Sequence, residues 1–365
     1  MQKSVYSAIG AAILLVSASC RSTTESKQTP EAAAALRAKP IGVPIQIAAP
    51  LGLPAVPIPA DNPPTAETVD LGRRLFFETK LSANGTVSCA SCHDPRAAFA
   101  DPRRFSIGAG GKQGVRNAPP ALNAAYNPSQ FWDGRAATLE AQAAGPIANP
   151  VEMNLSHADC AKRLDSDPAY RALFEKAFGP GPVTMDKITK AIASFERTLV
   201  SGNSAFDKYQ FGGDKGAMSA SAIRGLDIFK DKNRGNCAVC HTIEEKYALF
   251  SDGKFHNLGV AMDSKGELTD LGRYNETKIE TDKGAFRTST LRSIAKSAPY
   301  MHDGSQRTLA EVVDFYVGGG SSNPYLDKEI KELKLSGQER ADLVAFLEAL
   351  TGDEAPNAAA IAANR

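Results

Sequence analysis

Cys89-Ala90-Ser91-Cys92-His93 and Cys237-Ala238-Val239-Cys240-His241 decide the reading of this chain. Each is a C-x-x-C-H pattern, the arrangement of c-type haem attachment. The chemistry explains the spacing. Two thiols three residues apart on one turn reach the two vinyl groups of one porphyrin, and the adjacent imidazole comes under the iron as proximal ligand. A structural zinc site draws its two C-x-x-C pairs from within roughly 20 residues of each other, whereas more than a third of the chain separates these two. A redox dithiol does not require the His. Six Cys and five His in 365 residues make even one chance match rare. The two patterns therefore predict two covalent haems, one on Cys89, Cys92 and His93 and one on Cys237, Cys240 and His241. Cys160 is left over and reads as a small buried hydrophobe.

Working outward, each motif follows an amphipathic stretch. Gly72-Arg73-Arg74-Leu75-Phe76 precedes the first and Gly225-Leu226-Asp227-Ile228-Phe229 the second, a weak internal repeat of helix, loop and attachment site. Helical periodicity recurs over Met185–Val200 (Ile188, Ile192, Phe195, Leu199), Thr308–Tyr316 and Gln338–Leu350. No long alternating strand pattern competes, so the body is predicted to be mainly α. Long Gly-, Pro- and Asn-rich loops such as 108–120 need a partner domain or a cofactor to pack on.

Lys3, the apolar run Ala8–Val16 and the small residues Ser17, Ala18 and Ser19 make residues 1–19 a signal peptide, too short for a membrane span. Cys20 then reads as a lipoprotein site, with plain cleavage nearby as the alternative because Ser17 stands where Leu is usual. Both readings export the protein to the periplasm, lipid-anchored at Cys20 in the first case. Residues 20–64 are Pro- and Ala-rich and read as a tether, and 353–365 as a flexible tail. Lys+Arg 42 against Asp+Glu 41 leaves a net charge of +1, which excludes a dominant nucleic-acid footprint.

The body resembles the bacterial di-haem cytochrome c peroxidases and their MauG-type relatives. The resemblance runs from about Thr65 to Leu350 and is carried by Arg116-Asn117-Ala118-Pro119-Pro120, Phe131-Trp132-Asp133-Gly134-Arg135, Phe255-His256-Asn257-Leu258-Gly259, Phe286-Arg287-Thr288 and Ala298-Pro299-Tyr300-Met301-His302-Asp303-Gly304. It implies two cytochrome c-like helical domains packed face to face, a peroxidatic haem domain at 65–215 and an electron-transfer haem domain at 216–352. His93 and His241 become the respective proximal iron ligands. Trp132 becomes the aromatic bridge between the haems, Glu152 the catalytic acid–base, and Gln142 and Pro146 the other residues of the distal pocket. A Ca²⁺ between the domains would take Asn117 through its side chain and Ser297 and Pro299 through their carbonyls. The implied activity is reduction of hydrogen peroxide with electrons from a small c-type cytochrome or copper protein.

Two positions set this sequence apart from the common peroxidases. Ser106-Ile107-Gly108 is followed by Ala109, where many members carry a His that blocks the peroxidatic iron at rest. The sixth ligand of the second haem, usually a Met, falls on Tyr316, as in MauG-type members. Met301 is the rival ligand, with His256 or no sixth ligand as the remaining alternatives. Both departures favour the alternative function, a MauG-like enzyme whose bis-oxidised haems oxidise residues of a partner protein. A non-enzymatic electron carrier is the third reading, and it has no use for Glu152 and Gln142 beside a vacant iron face.

Overall fold

The computed structural model describes Met1 and residues 38–353. The signal peptide beyond Met1, Cys20 and the tail from 354 lie outside the described residues. The helices are α1 (Ala66–Phe76), α2 (Leu139–Ala148), α3 (His157–Asp165), α4 (Pro168–Phe178), α5 (Met185–Glu196), α6 (Ala205–Gln210), α7 (Ala220–Lys230), α8 (Tyr274–Thr277), α9 (Leu309–Val317) and α10 (Gly337–Glu348). The only named strands among the described residues are β1 (Phe255–Asn257) and β2 (Ala285–Arg287). They pair antiparallel with Phe255 opposite Arg287.

Two helix pairs on one plan carry the fold. Thr65 caps α1 and is capped in return by Thr68, which satisfies donors that helix N-termini leave open. Leu71, Leu75 and Phe76 then share one buried face. Gly72 lets α1 lie directly on α5, because a Cβ there would run into the carbonyl of Ala191 and the Phe195 side chain. The second half repeats this. Ser219 caps α7, and Gly225 lies against the Asp342 carbonyl and Phe346 of α10. The repeated glycines noticed in the sequence are thus close-approach points between the first and last helices of each half.

Each pair has its own core. Phe76, Phe99, Phe174 and Phe195 centre the first, and Phe206, Phe229, Phe250 and Phe346 the second. A fully buried Phe contributes about 1.5–3 kcal/mol, so each cluster is enough to organise its half. Phe206 of α6, which precedes residue 215, already packs in the second core.

The Pro-rich segment is ordered where it lies on this body. Ile45 donates its N–H to Pro64 at 2.8 Å, and Leu51 donates to Asn203 Oδ1 at 2.9 Å. The Tyr126 hydroxyl donates to the Pro54 carbonyl at 2.9 Å. Ala248 N–H and the Arg292 guanidinium both donate to the carbonyl of Gly52. Residues 51–54 therefore strap elements of both halves together.

Candidate functional site

The first motif forms a 3-10 turn over Cys89–Ser91, and His93 N–H closes it on the Cys89 carbonyl at 2.9 Å. The second repeats this over Cys237–Val239, with His241 N–H on Cys237 at 3.0 Å. Nδ1 of His93 lies 3.0 Å from the carbonyl of Phe99, and Nδ1 of His241 lies 2.8 Å from that of Phe250. A carbonyl only accepts, so Nδ1 carries the hydrogen and Nε2 keeps its lone pair. Burial lowers both imidazoles below the usual histidine value, against the pull of those carbonyl bonds. Two neutral, oriented nitrogen donors result.

Each motif opens on a cavity. The first, about 1010 Å³, is lined by Cys89, Cys92 and His93 together with Gln142, Pro146 and Glu152. Gln142 and Pro146 stand four apart and so share one face of α2. Asn149 caps that helix, and its side-chain amide donates to Glu152 Oε1 at 2.6 Å. Burial pushes the Glu152 carboxyl above the usual range, opposed by the Arg135 charge and the Asn149 hydrogen bond. Gly108 lines the cavity, while Ala109 is buried and donates its N–H to the Glu152 carbonyl at 2.7 Å.

The second cavity, about 230 Å³, is lined by Cys237, Cys240 and His241, and both Tyr316 and Met301 face it. Burial pushes the Tyr316 phenol above its ordinary value. His256 also lines this cavity, but its ring is held from both sides: Nδ1 lies 2.6 Å from Asp327 Oδ2 and Nε2 3.0 Å from Asp252 Oδ2. Contact with the Cys240 sulfur and these two carboxylates raises the imidazole above the ordinary histidine value. Both ring nitrogens of His256 therefore face carboxylate oxygens.

The wall common to both cavities is made by Asn117, Pro120, Trp132, Arg287 and His302. Trp132 Nε1–H donates to the Asn117 carbonyl at 2.8 Å, and its own carbonyl accepts from Arg287 N–H at 2.8 Å. His302 stacks on Phe286 with ring centroids 3.6 Å apart and meets Trp132 edge-on. Ser297 and Pro299 line the second cavity beside Asn117. The Asn117 amide donates to the carbonyl of Arg103 at 2.9 Å, which leaves its Oδ1 as the ligand-capable atom.

The cavities suit a haem each. Ser289 Oγ and His302 Nε2 are buried without hydrogen-bond partners, and both residues line these cavities. Such orphans are rare unless a bound group completes them. Arg287 is buried and makes no ion pair with a carboxylate among the described residues, and burial alone pulls its guanidinium down to about 10. It suits the acid groups that a porphyrin carries. No spacing in the sequence marks Arg287, His302 or Glu196 for these walls. Arg287 and His302 stand inside quoted motifs, but a missing counter-charge is visible only after folding.

A family model described as di-haem cytochrome c peroxidase matches residues 66–215. The methylamine utilization protein MauG of Methylorubrum extorquens is 41% identical over 302 residues, covering 82% of this chain and 83% of the relative. The cytochrome c551 peroxidase of Nitrosomonas europaea is 40% identical over 301 residues, 82% and 85% of the two chains. Among solved structures, a MauG-like protein associated with microbial copper homeostasis aligns with a TM-score of 0.75 at 34% identity, covering 83% of this chain and 95% of the other. The diheme peroxidase BthA of Burkholderia thailandensis, 24% identical with a TM-score of 0.70, shares the fold. Two C-x-x-C-H turns opening on two cavities with a shared aromatic wall, and relatives matched over most of their length, place the chain in the family of di-haem cytochrome c peroxidases.

Proposed function

We propose that this protein is a di-haem c-type peroxidase that reduces hydrogen peroxide to water with electrons from a small periplasmic redox protein, a c-type cytochrome or a copper protein. Membership of a family of oxidoreductases supports the class. The observation that carries the finer reading is Glu152, half-buried on the first cavity with its carboxyl raised by burial and steadied by Asn149. Haem iron, when bound by His93, supplies the centre at which the O–O bond breaks. With a haem held by His93, Glu152 would take a proton from peroxide and return it to the departing oxygen, and the Gln142 amide would orient the peroxide. A positioned acid–base group of this kind contributes typically about 10²–10⁴-fold. Trp132, on both cavity walls, carries electrons from the second site to the first, and Pro146 shapes the pocket. The division into haem domains at 65–215 and 216–352, the Ca²⁺ held by Asn117, Ser297 and Pro299, and export with a lipid anchor on Cys20 belong to the same proposal. No helix among the described residues is long and apolar enough to cross a membrane.

The MauG-like alternative, oxidation of residues in a partner protein, is favoured by a specific pair: Tyr316 on the second cavity and Ala109 where a blocking His is common. The deciding experiment is turnover of hydrogen peroxide by the as-isolated protein with reduced cytochrome c, beside a pyridine haemochrome count. Two haems per chain and immediate turnover support the peroxidase. Two haems and rapid reaction with peroxide, but no oxidation of cytochrome c, move the assignment to the MauG-like reading. One haem per chain overturns both.

A further inference from the structure

Glu196 is the last residue of α5, is 6% exposed, and has an Oε2 without a hydrogen-bond partner on the wall of the first cavity. The repeat in the fold shows that this carboxyl is not required by packing. Gly72 meets Ala191 and Phe195, and Gly225 meets Asp342 and Phe346. Superposing these contacts pairs Ala191 with Asp342 and Phe195 with Phe346, so Ile192 pairs with Leu343 and Glu196 with Leu347. Ile192 and Glu196 line the first cavity, and Leu343 and Leu347 line the second. One frame thus offers an aliphatic wall to one haem and a carboxyl to the other. Leaving a carboxyl buried without a partner costs about 1–3 kcal/mol or more, a cost the second half avoids.

We infer that Glu196 is the redox-linked proton site of the first haem. It takes up one proton from solvent as that site gains one electron from the donor, and releases it as the electron leaves. This rests on the first cavity holding the peroxidatic haem. The physical basis is the low dielectric of the wall, where charges some ångströms apart interact far more strongly than in water. An added electron repels a bare carboxylate and favours its neutral form, and by reciprocity the proton favours the electron. The charged groups acting on Glu196 fit a carboxyl that changes state near neutrality. Burial pushes it up to about 8, Arg197 pulls it down and Glu140 pushes it up, and the latter two hold each other at 2.7 Å. The Cys89 sulfur lies close enough to feel its charge. Peroxide reduction consumes a proton with each electron, so a site that binds both together suits the proposed reaction.

The test is a potentiometric titration of both haems across the neutral range, on the parent, Glu196→Gln and Glu196→Leu. Glu196→Leu gives the first site the wall of the second. In the parent, the electron affinity of the first haem should fall about tenfold per pH unit where Glu196 changes state. Both variants should flatten that dependence and leave the second haem unchanged, which serves as the internal control for folding. The reduced-minus-oxidised infrared spectrum of the parent should carry a protonated carboxylic C=O band that Glu196→Gln removes. An undiminished pH dependence in both variants, or a parent that has none, overturns the inference. With two haems counted, that outcome leaves the peroxidase reading standing, whereas a missing first haem would defeat both.

Discussion

Tyr316 and Met301 both face the cavity that holds His241, and one substitution in each separates them as iron ligands. The anionic oxygen of a tyrosinate favours the higher oxidation states of a haem more than a thioether does. Tyr316→Phe should remove the low-spin signal of the second haem in the EPR spectrum and raise its potential, while Met301→Leu leaves both in place. The opposite pattern assigns the ligand to Met301. On the first cavity, Glu152→Gln keeps the shape and the Asn149 contact but cannot move a proton. Peroxide turnover should fall by about 10²–10⁴-fold. The acid limb of the pH–rate profile, which a carboxyl raised by burial sets in the parent, should vanish with it. A profile unchanged in shape would place the acid–base group elsewhere.

Between elements, the glycines that seat α1 on α5 and α7 on α10 leave no room for a methyl group. Gly225→Ala should therefore cost about 1–3 kcal/mol as α7 is pushed off the Asp342 carbonyl, read as a lowered denaturation midpoint. A second inter-element contact is ionic. Arg116 holds Asp133 and Asp270 at once, with its Nε 2.6 Å from Asp270. Burial pushes Asp270 up, but the hydrogen bonds and charge of Arg116 and the N–H of Gly272 outweigh it and keep the carboxyl below the usual range. Its stabilisation is therefore complete above the unfolded value of about 3.9 and is lost as pH falls through the lower folded value. Arg116→Gln should cost about 3–5 kcal/mol near neutrality. It should also weaken the loss of stability on acidification, because the Gly272 N–H is then left to oppose burial at Asp270 without the guanidinium.

Across the whole molecule, the Gly52 strap joins the halves over a buried ion pair. Arg292 and Asp207 are 1% and 0% exposed in their side chains and 2.9 Å apart, and Arg292 also reaches the Gly52 carbonyl. Removing one partner leaves a buried charge unmatched. Arg292→Leu should cost about 3–5 kcal/mol in urea denaturation, and adding Asp207→Asn should restore a large part of it. If Arg292→Leu is silent, the strap is ornamental and the two cores hold together without it.

The sequence by itself determined the chemistry of attachment, because C-x-x-C-H is local: the turn that brings two thiols and an imidazole together is complete within five residues. It also determined the helices, whose apolar spacing over 185–200 and 308–316 reappears as α5 and α9 with ends shifted by a few residues. The family resemblance implies Trp132, Glu152 and Gln142, and the structure brings each of them to a cavity wall. What only the tertiary structure decided depends on absent partners and on distance. His256 is held by two carboxylates, one 71 residues away in the chain. Arg287 lacks a counter-charge and Glu196 a hydrogen bond, and no spacing rule reports a missing neighbour. The two halves are alike in sequence pattern, and they differ where one wall carries Glu196 and the other Leu347, a correspondence that appears only once both helix pairs have packed.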